Sequence, residues 1–339
     1  MLKKALVIVF SLLLYFTTSW AETPQQIEQL KQAAERGDPV AQNSLGFIYV
    51  TGEDVPRNYP EGLKWLLKSA NQGYASAQSN LGAFYFFGEG VYRNYPESLK
   101  WLKKAAEQGN AAAQNNLGSL YLMGPVELQN YPEALKWIRK AADQGGLVAQ
   151  NTLGLLYHEG KGVPKSDVEA IKWFRMAAER GFAESQCQLG NRCLFGEGMA
   201  QSDSEALSWF RKAASQGHPG AQYQIAYMYS LGKGVPQSYA EGAQWMRKSA
   251  EQGFPQAEYQ LGGLYAFGWG VPQSDVEAAN WCRKAAEHGL AKAQNQLGNM
   301  YAAGKGVPKR DSEALKWYRK AAGQGNADAK EALKRLTAK

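Results

Sequence analysis

Apolar positions along this chain fall at helical spacing in short runs, and the runs recur. In residues 149–182, AQNTLGLLYHEGKGVPKSDVEAIKWFRMAAERGF, Ala149, Leu153 and Tyr157 stand at i, i+4 and i+8 and lay one apolar stripe along a helix. After a turn, Ala170, Trp173, Ala177 and Ala178 form a second stripe, with Lys172 and Arg175 on the opposite side. The turn Gly160, Lys161, Gly162, Val163, Pro164 ends the first helix with residues able to take positive φ, then blocks its continuation with proline. Gly181 ends the second helix. The unit is a helix–turn–helix hairpin.

The hairpin repeats without slippage. Tryptophan stands at Trp65, Trp101, Trp137, Trp173, Trp209, Trp245, Trp281 and Trp317, thirty-six residues apart at every step. A unit of this length cannot bury its apolar face alone, so copies must bury it for one another. The expectation is an all-α, right-handed superhelical α/α solenoid. A half-repeat over 23–37 opens it, eight repeats run over about 38–325, and a capping helix over 326–339 closes it.

Local chemistry supports that frame. Ser166 and Glu169 read as a capping box, and Asn58 with Glu61, Asn94 with Glu97 and Asn130 with Glu133 as its variant with proline in the first turn. The glutamate recurs to Glu205, Glu241, Glu277 and Glu313, and a cap explains every copy without acid catalysis. Gly154 sits mid-helix, where glycine costs ~1 kcal/mol against alanine. It recurs as Gly46, Gly82, Gly118, Gly190, Gly262 and Gly298, with Ala226 in the sixth repeat, which predicts close approach of the partner helix. The eight periodic tryptophans read as core between hairpins, whereas Trp269, in a turn between Gly268 and Gly270, reads as an exposed contact point.

At the front, Lys3 and Lys4, the apolar run Ala5 to Phe16, and the small residues Ser19 and Ala21 form a signal peptide over residues 1–21, with cleavage before Glu22. The apolar run falls short of the ~20 residues that cross a bilayer. The chain is therefore expected in the periplasm, or secreted, without membrane insertion after cleavage. The formal charge is +7, yet Lys and Arg alternate with Glu inside each helix. No one-signed patch forms, so nucleic acid is not an expected partner.

Cys187 and Cys193 lie six apart on one helix and Cys282 more than two repeats away, so buried thiols are expected rather than a disulfide. His158, His218 and His288 are the only histidines and fall in separate repeats. Neither a zinc site nor a Ser-His-Asp set assembles easily from them, so no catalytic residue, metal or cofactor is expected.

The pattern A-x-x-x-A-Q-x-x-L-G-x-x-Y-x-x-G-x-G-V, followed by E-A-x-x-W-x-x-K-A-A, resembles the Sel-one-like repeat family, a relative of the tetratricopeptide arrays, over nearly all of the mature chain. Glu127, Arg192 and Cys193 depart from it, so repeats three and five are expected to pack less regularly. The resemblance implies an adaptor that assembles other proteins in the bacterial envelope, or a secreted virulence factor that engages host proteins. A family subset rich in paired cysteines is associated with penicillin binding and weak β-lactamase activity. The pairing is missing here, which gives that activity little support.

If Leu153 and its equivalents face inward, the opposite side of each first helix faces the concave side of the superhelix. Those columns hold amides and aromatics where a charged surface would be ordinary. Asn43, Asn115, Asn151 and Asn295 are candidate clamps for the backbone of a peptide or protein partner. Phe47, Phe86, Tyr223, Tyr227 and Tyr259 are candidate anchors.

Overall fold

A computed structural model describes residues 23–52 and 55–337, so the expected signal peptide over 1–21 lies outside the described residues. Among those residues helices alternate with turns and no strand occurs. They gather into two compact units, one ending at Arg180 and the other beginning at Gly181. The first unit holds α1 (Pro24–Glu35), α2 (Pro39–Thr51), α3 (Tyr59–Asn71), α4 (Ala75–Phe87), α5 (Tyr95–Glu107), α6 (Ala111–Met123), α7 (Tyr131–Asp143), α8 (Leu147–Glu159) and α9 (Asp167–Glu179). The second holds α10 (Ala183–Phe195), α11 (Asp203–Ser215), α12 (Pro219–Leu231), α13 (Tyr239–Glu251), α14 (Pro255–Phe267), α15 (Asp275–Glu287), α16 (Ala291–Ala303), α17 (Asp311–Gly323) and α18 (Ala327–Thr337). Within each unit a helix packs most closely on its hairpin partner and next on the helix that follows.

Two local devices close each hairpin. The backbone N–H at the second helix's N-cap donates back to a carbonyl near the end of the first: Asn58 to Tyr49 at 2.8 Å, Ser166 to Tyr157 at 2.8 Å, Ser274 to Tyr265 at 2.9 Å. The cap side chain accepts the N–H three residues on, as from Glu61 to Asn58 and from Glu169 to Ser166, both at 3.2 Å. The capping box expected from sequence is thus half made. Its reciprocal bond needs the cap N–H, which the first helix already uses, and the glutamate turns to a lysine in the next turn instead. Lys64 reaches Glu61 at 3.1 Å, Lys100 reaches Glu97 at 3.1 Å and Lys136 reaches Glu133 at 3.0 Å. A complete box forms at Thr23 and Gln26, where the cap N–H donates to Oε1 of Gln26 at 2.7 Å.

The recurrent glycine does bring the helices together. A Cβ on Gly118 would sit 2.4 Å from Cγ1 of Ile138, one on Gly82 2.5 Å from Cγ of Leu102, and one on Gly154 2.6 Å from the Phe174 ring. The side chain that fills the gap follows the periodic tryptophan. Where it is the fully buried Phe174 or Phe210, Trp173 and Trp209 are only half-buried; Trp245, preceding Met246, is half-buried as well. Core placement therefore holds for Trp65, Trp101, Trp137, Trp281 and Trp317 but not for these three. Lysines lie over the rings, with Nζ of Lys68 4.0 Å from the Trp65 centroid, Lys212 4.0 Å from Trp209 and Lys284 3.9 Å from Trp281.

Glutamines tie neighbouring hairpins together. Buried Gln42 donates to the Ala34 carbonyl of the preceding helix at 2.9 Å, while Gln72, just past α3, donates to Oε1 of Gln42 at 2.7 Å and to the Gly37 carbonyl at 3.0 Å. The glutamine pair returns as Gln108 with Gln78, Gln144 with Gln114, Gln216 with Gln186, Gln252 with Gln222 and Gln324 with Gln294, at 2.7–2.9 Å. Two repeats differ. His288 faces buried Glu258 at 2.8 Å, and Arg180 bonds the Gly145 carbonyl, leaving Oε1 of Gln150 without a partner.

Repeat three is irregular as expected, with a 3-10 turn at Val126–Leu128 containing Glu127. Repeat five is not. There α10 keeps thirteen residues, and buried Arg192 is neutralised by Glu197 from the following turn.

Gly118→Ala should lower unfolding free energy by about 1–3 kcal/mol, because Ile138 and its helix must give way. Gly263→Ala, also mid-helix but with nothing within 4 Å of the added Cβ, should raise it by about 0.5–1 kcal/mol. Urea unfolding midpoints check both, and equal shifts would contradict close approach as the reason for the glycine.

Candidate partner-binding face

In the first unit the first helices place the predicted amides unequally. Asn43 on α2 is half-buried and accepts from Nδ2 of Asn80 at 3.0 Å, and Phe47 beside it is half-buried. Asn115 and Asn151 are buried, 5% and 3% exposed, so neither stands on an open surface as the sequence implied. For Asn115 the reason is that consecutive first helices touch, α4 packing on α6. Phe86 is also buried rather than an outward anchor: it packs edge-on against Phe87 at 4.6 Å and Tyr95 at 6.0 Å, in the core with Leu102 and Trp137.

Asn115 is covered yet not satisfied. Its Nδ2 lies 3.5 Å from Oδ1 of Asn116, and its own Oδ1 has no hydrogen-bond partner. A buried unpaired acceptor costs on the order of 1–3 kcal/mol. It borders a cavity of about 240 Å³ among α4, α6, α7 and α8, lined by Ser79, Ala83, Ala112, Leu147 and Val148 among others. No charged side chain lines it. Oγ of Ser119, one turn along α6, is likewise buried and unpartnered.

The second unit's first helices present rings. Tyr223 packs on Phe254 at 5.6 Å, Tyr227 is 41% exposed, and Tyr259 is half-buried. Burial pushes the Tyr223 hydroxyl above its ordinary range, a hydrogen bond with Gln260 opposing; burial does the same at Tyr259. Asn295 is half-buried with an unpartnered Oδ1. Of the predicted residues, Tyr227 is the most open and Asn115 the one that meets a cavity.

The histidines are structural partners. Nδ1 of His158 meets Asp167 at 2.6 Å, and His218 accepts the Ala221 N–H at 3.1 Å as an N-cap while its Nε2 meets Glu184 at 2.9 Å. The cysteines are buried and form no disulfide. Among the described residues no group of three or more His, Cys, Asp or Glu could hold a metal ion, and no helix is long and apolar enough to cross a membrane. Trp269 is 51% exposed, as its turn suggested, and stacks with Phe267 at 5.2 Å and Tyr239 at 5.8 Å.

Sequence reasoning missed the glutamine pairs, although the signal was available: a glutamine in the fourth position of nearly every first helix and another thirty residues on. It also missed Gly146, an N-cap without a capping side chain at the mouth of the cavity.

A family model of the Sel1 repeat matches eight consecutive segments, residues 39–74, 75–110, 111–146, 147–182, 183–218, 219–254, 255–290 and 291–326. Among solved structures the chain is similar to a protective antigen present in uropathogenic Escherichia coli strains and displaying an SLR fold, at 38% identity and a TM-score of 0.66, over 91% of this chain and 66% of that one. It is also similar to a Sel1 repeat protein from Oxalobacter formigenes, at 35% identity and a TM-score of 0.69, over 96% of this chain and 93% of that one. No curated protein matches it.

Burial pushes the Cys282 thiol from 9.0 up to about 12, Arg283 opposing, while Sγ donates to the Ala293 carbonyl at 3.3 Å. The native state then holds a proton that the unfolded chain has released, so this contribution is intact below about pH 9 and is lost as pH rises toward 12. Denaturant titrations at about pH 8 and about pH 10.5 should show the wild type losing more stability than Cys282→Ala. Parallel losses would remove Cys282 as the cause.

Proposed function

The chain belongs to the Sel1 repeat family, an all-α solenoid whose members are protein-interaction scaffolds, and from that premise we propose that it is a non-enzymatic adaptor holding a polypeptide segment against its first helices. The observation that carries this reading is the cavity beside Asn115, an uncharged recess on the first-helix side. Half-exposed tyrosine on the same helix position of the second unit supports it, since amphipathic rings give contact area at low entropic cost. The signal peptide read over residues 1–21 supports action in the periplasm.

One observation favours a second reading, in which the chain acts outside the cell and meets host proteins. The Escherichia coli structure it resembles at 38% identity is a protective antigen. Mass spectrometry of periplasm and culture medium separates the two, with a mature N-terminus at Glu22 expected in either place.

A photo-crosslinking residue introduced at Ala112 or Tyr227, both exposed on first helices, should capture a discrete polypeptide in the native cell. The same residue at Lys103, exposed on a second helix, should not. Capture from Lys103 alone would overturn the choice of face, and capture from none of the three would overturn the adaptor.

A further inference from the structure

We propose that the first-helix face of the second unit is a seat for one amphipathic α-helix of a partner polypeptide, with a large apolar side chain of that helix standing over Gly263 of α14. The proposal rests on the adaptor reading and adds the kind of segment the adaptor holds.

Gly263 is a glycine that the fold does not use. It lies in the middle of α14, its φ is not positive, and a Cβ built on it would meet nothing within 4 Å. Among the described residues, the other mid-helix glycines would each bring a Cβ to 3.0 Å or less from a neighbouring atom. Glycine there still costs about 1 kcal/mol against alanine. A residue that weakens its own helix while packing against nothing in the fold marks a place where something else comes close.

The rest of the chain shows what fills such a gap. Gly82, Gly118, Gly154 and Gly190 each receive one large apolar side chain, Leu102, Ile138, Phe174 or Phe210, from a helix lying against their own. Gly263 is the same device turned outward, in the position that Tyr227 holds one repeat earlier.

Its surroundings suit the same occupant. Tyr259 and Phe267 stand one turn before and one turn after it on the same side of α14. On α12, Tyr227 and Leu231 hold the positions of Gly263 and Phe267 one repeat earlier. Tyr227 is 41% exposed, Leu231 49% and Phe267 66%. Large apolar groups exposed together in this way mark a contact surface, whereas single ones do not. The face is also uncharged: α12 has no Asp, Glu, Lys or Arg, and the one such residue in α14, Glu258, is buried against His288. A charged side chain entering the notch would lose water and find no counter-ion. The contacting stripe of the partner is therefore apolar, as in helices that dock by residues at i, i+3, i+4 and i+7.

The test follows the amide signals of the full mature chain by NMR while three blocked peptides are added in turn. The first, acetyl-KLEELLKKLEELLKKL-amide, places its leucines on one helical face. The second replaces its central leucine by lysine, and the third reorders the first so that leucine and polar residues alternate, as an extended strand requires. The first peptide should give saturable shifts at Tyr227, Gly263 and Phe267, and the second should bind at least about tenfold more weakly. Gly263→Ala, expected to stabilise the fold, should weaken the first peptide by about tenfold, and Gly263→Leu, which fills the gap, should remove the shifts at Tyr227 and Phe267. Weaker binding beside a raised unfolding midpoint is a result that damage to the fold would not give. No saturable shift at these residues, equal affinity for the first and second peptides, tighter binding of the alternating peptide, or unchanged affinity in Gly263→Leu would overturn the seat. Sedimentation velocity of the peptide-free chain covers the remaining occupant: dimerisation that Gly263→Leu abolishes would assign the face to a second copy of this chain and overturn the partner helix. If a crosslinker at Tyr227 captures the same polypeptide from the wild type and from Gly263→Leu, the seat falls and the adaptor stands.

Discussion

Seven of the eight hairpins depend on a missing side chain, the sixth carrying Ala226 instead. The middle of the first helix carries glycine, and the second helix leans into the vacated space with Leu66, Leu102, Ile138, Phe174 or Phe210. Helix propensity argues against glycine there by about 1 kcal/mol per copy, and the burial of a large apolar side chain, roughly 1.5–3 kcal/mol, outweighs it. With the helices this close, the N-cap N–H of the second reaches the last turn of the first, and the capping carboxylate is released to pair with lysine on the surface.

The glutamines do for neighbours what glycine does within a hairpin. Gln42 touches the preceding helix and the end of its own hairpin at once, so the buried amide fixes three segments with both ends satisfied. Repetition makes departures visible. Around Gly146 two coincide: Arg180 replaces the second glutamine, and Oε1 of Gln150 is left over.

The period, the hairpin, the turn glycines and the purpose of Gly118 and its equivalents were legible in the sequence because each is a local property written in most or all of eight repeats. The first-helix face was legible only in part. A helical wheel shows which side of α6 meets α7, but Asn115 is covered by α4, a first helix thirty-six residues earlier, and no property of α6 alone reports that contact. Phe86 was misread for a related reason, since its ring packs on Phe87 and on Tyr95 of the second helix rather than facing solvent. Ser166 and Glu169 have the letters of a capping box, yet the outcome was decided by Tyr157, whose carbonyl takes the cap N–H first. Competition between partners distant in sequence is what a motif cannot encode.

The glutamine pairs are neutral amides in six of the eight repeats, and ionisable pairs stand beside them at His218 with Glu184 and His288 with Glu258 as well as on the surface, as Lys64 with Glu61. Dissolved ions screen exposed charges over about 10 Å at 0.1 M but leave buried dipoles almost untouched. An array joined in this way keeps its geometry through swings in osmolarity that would loosen one riveted by ion pairs.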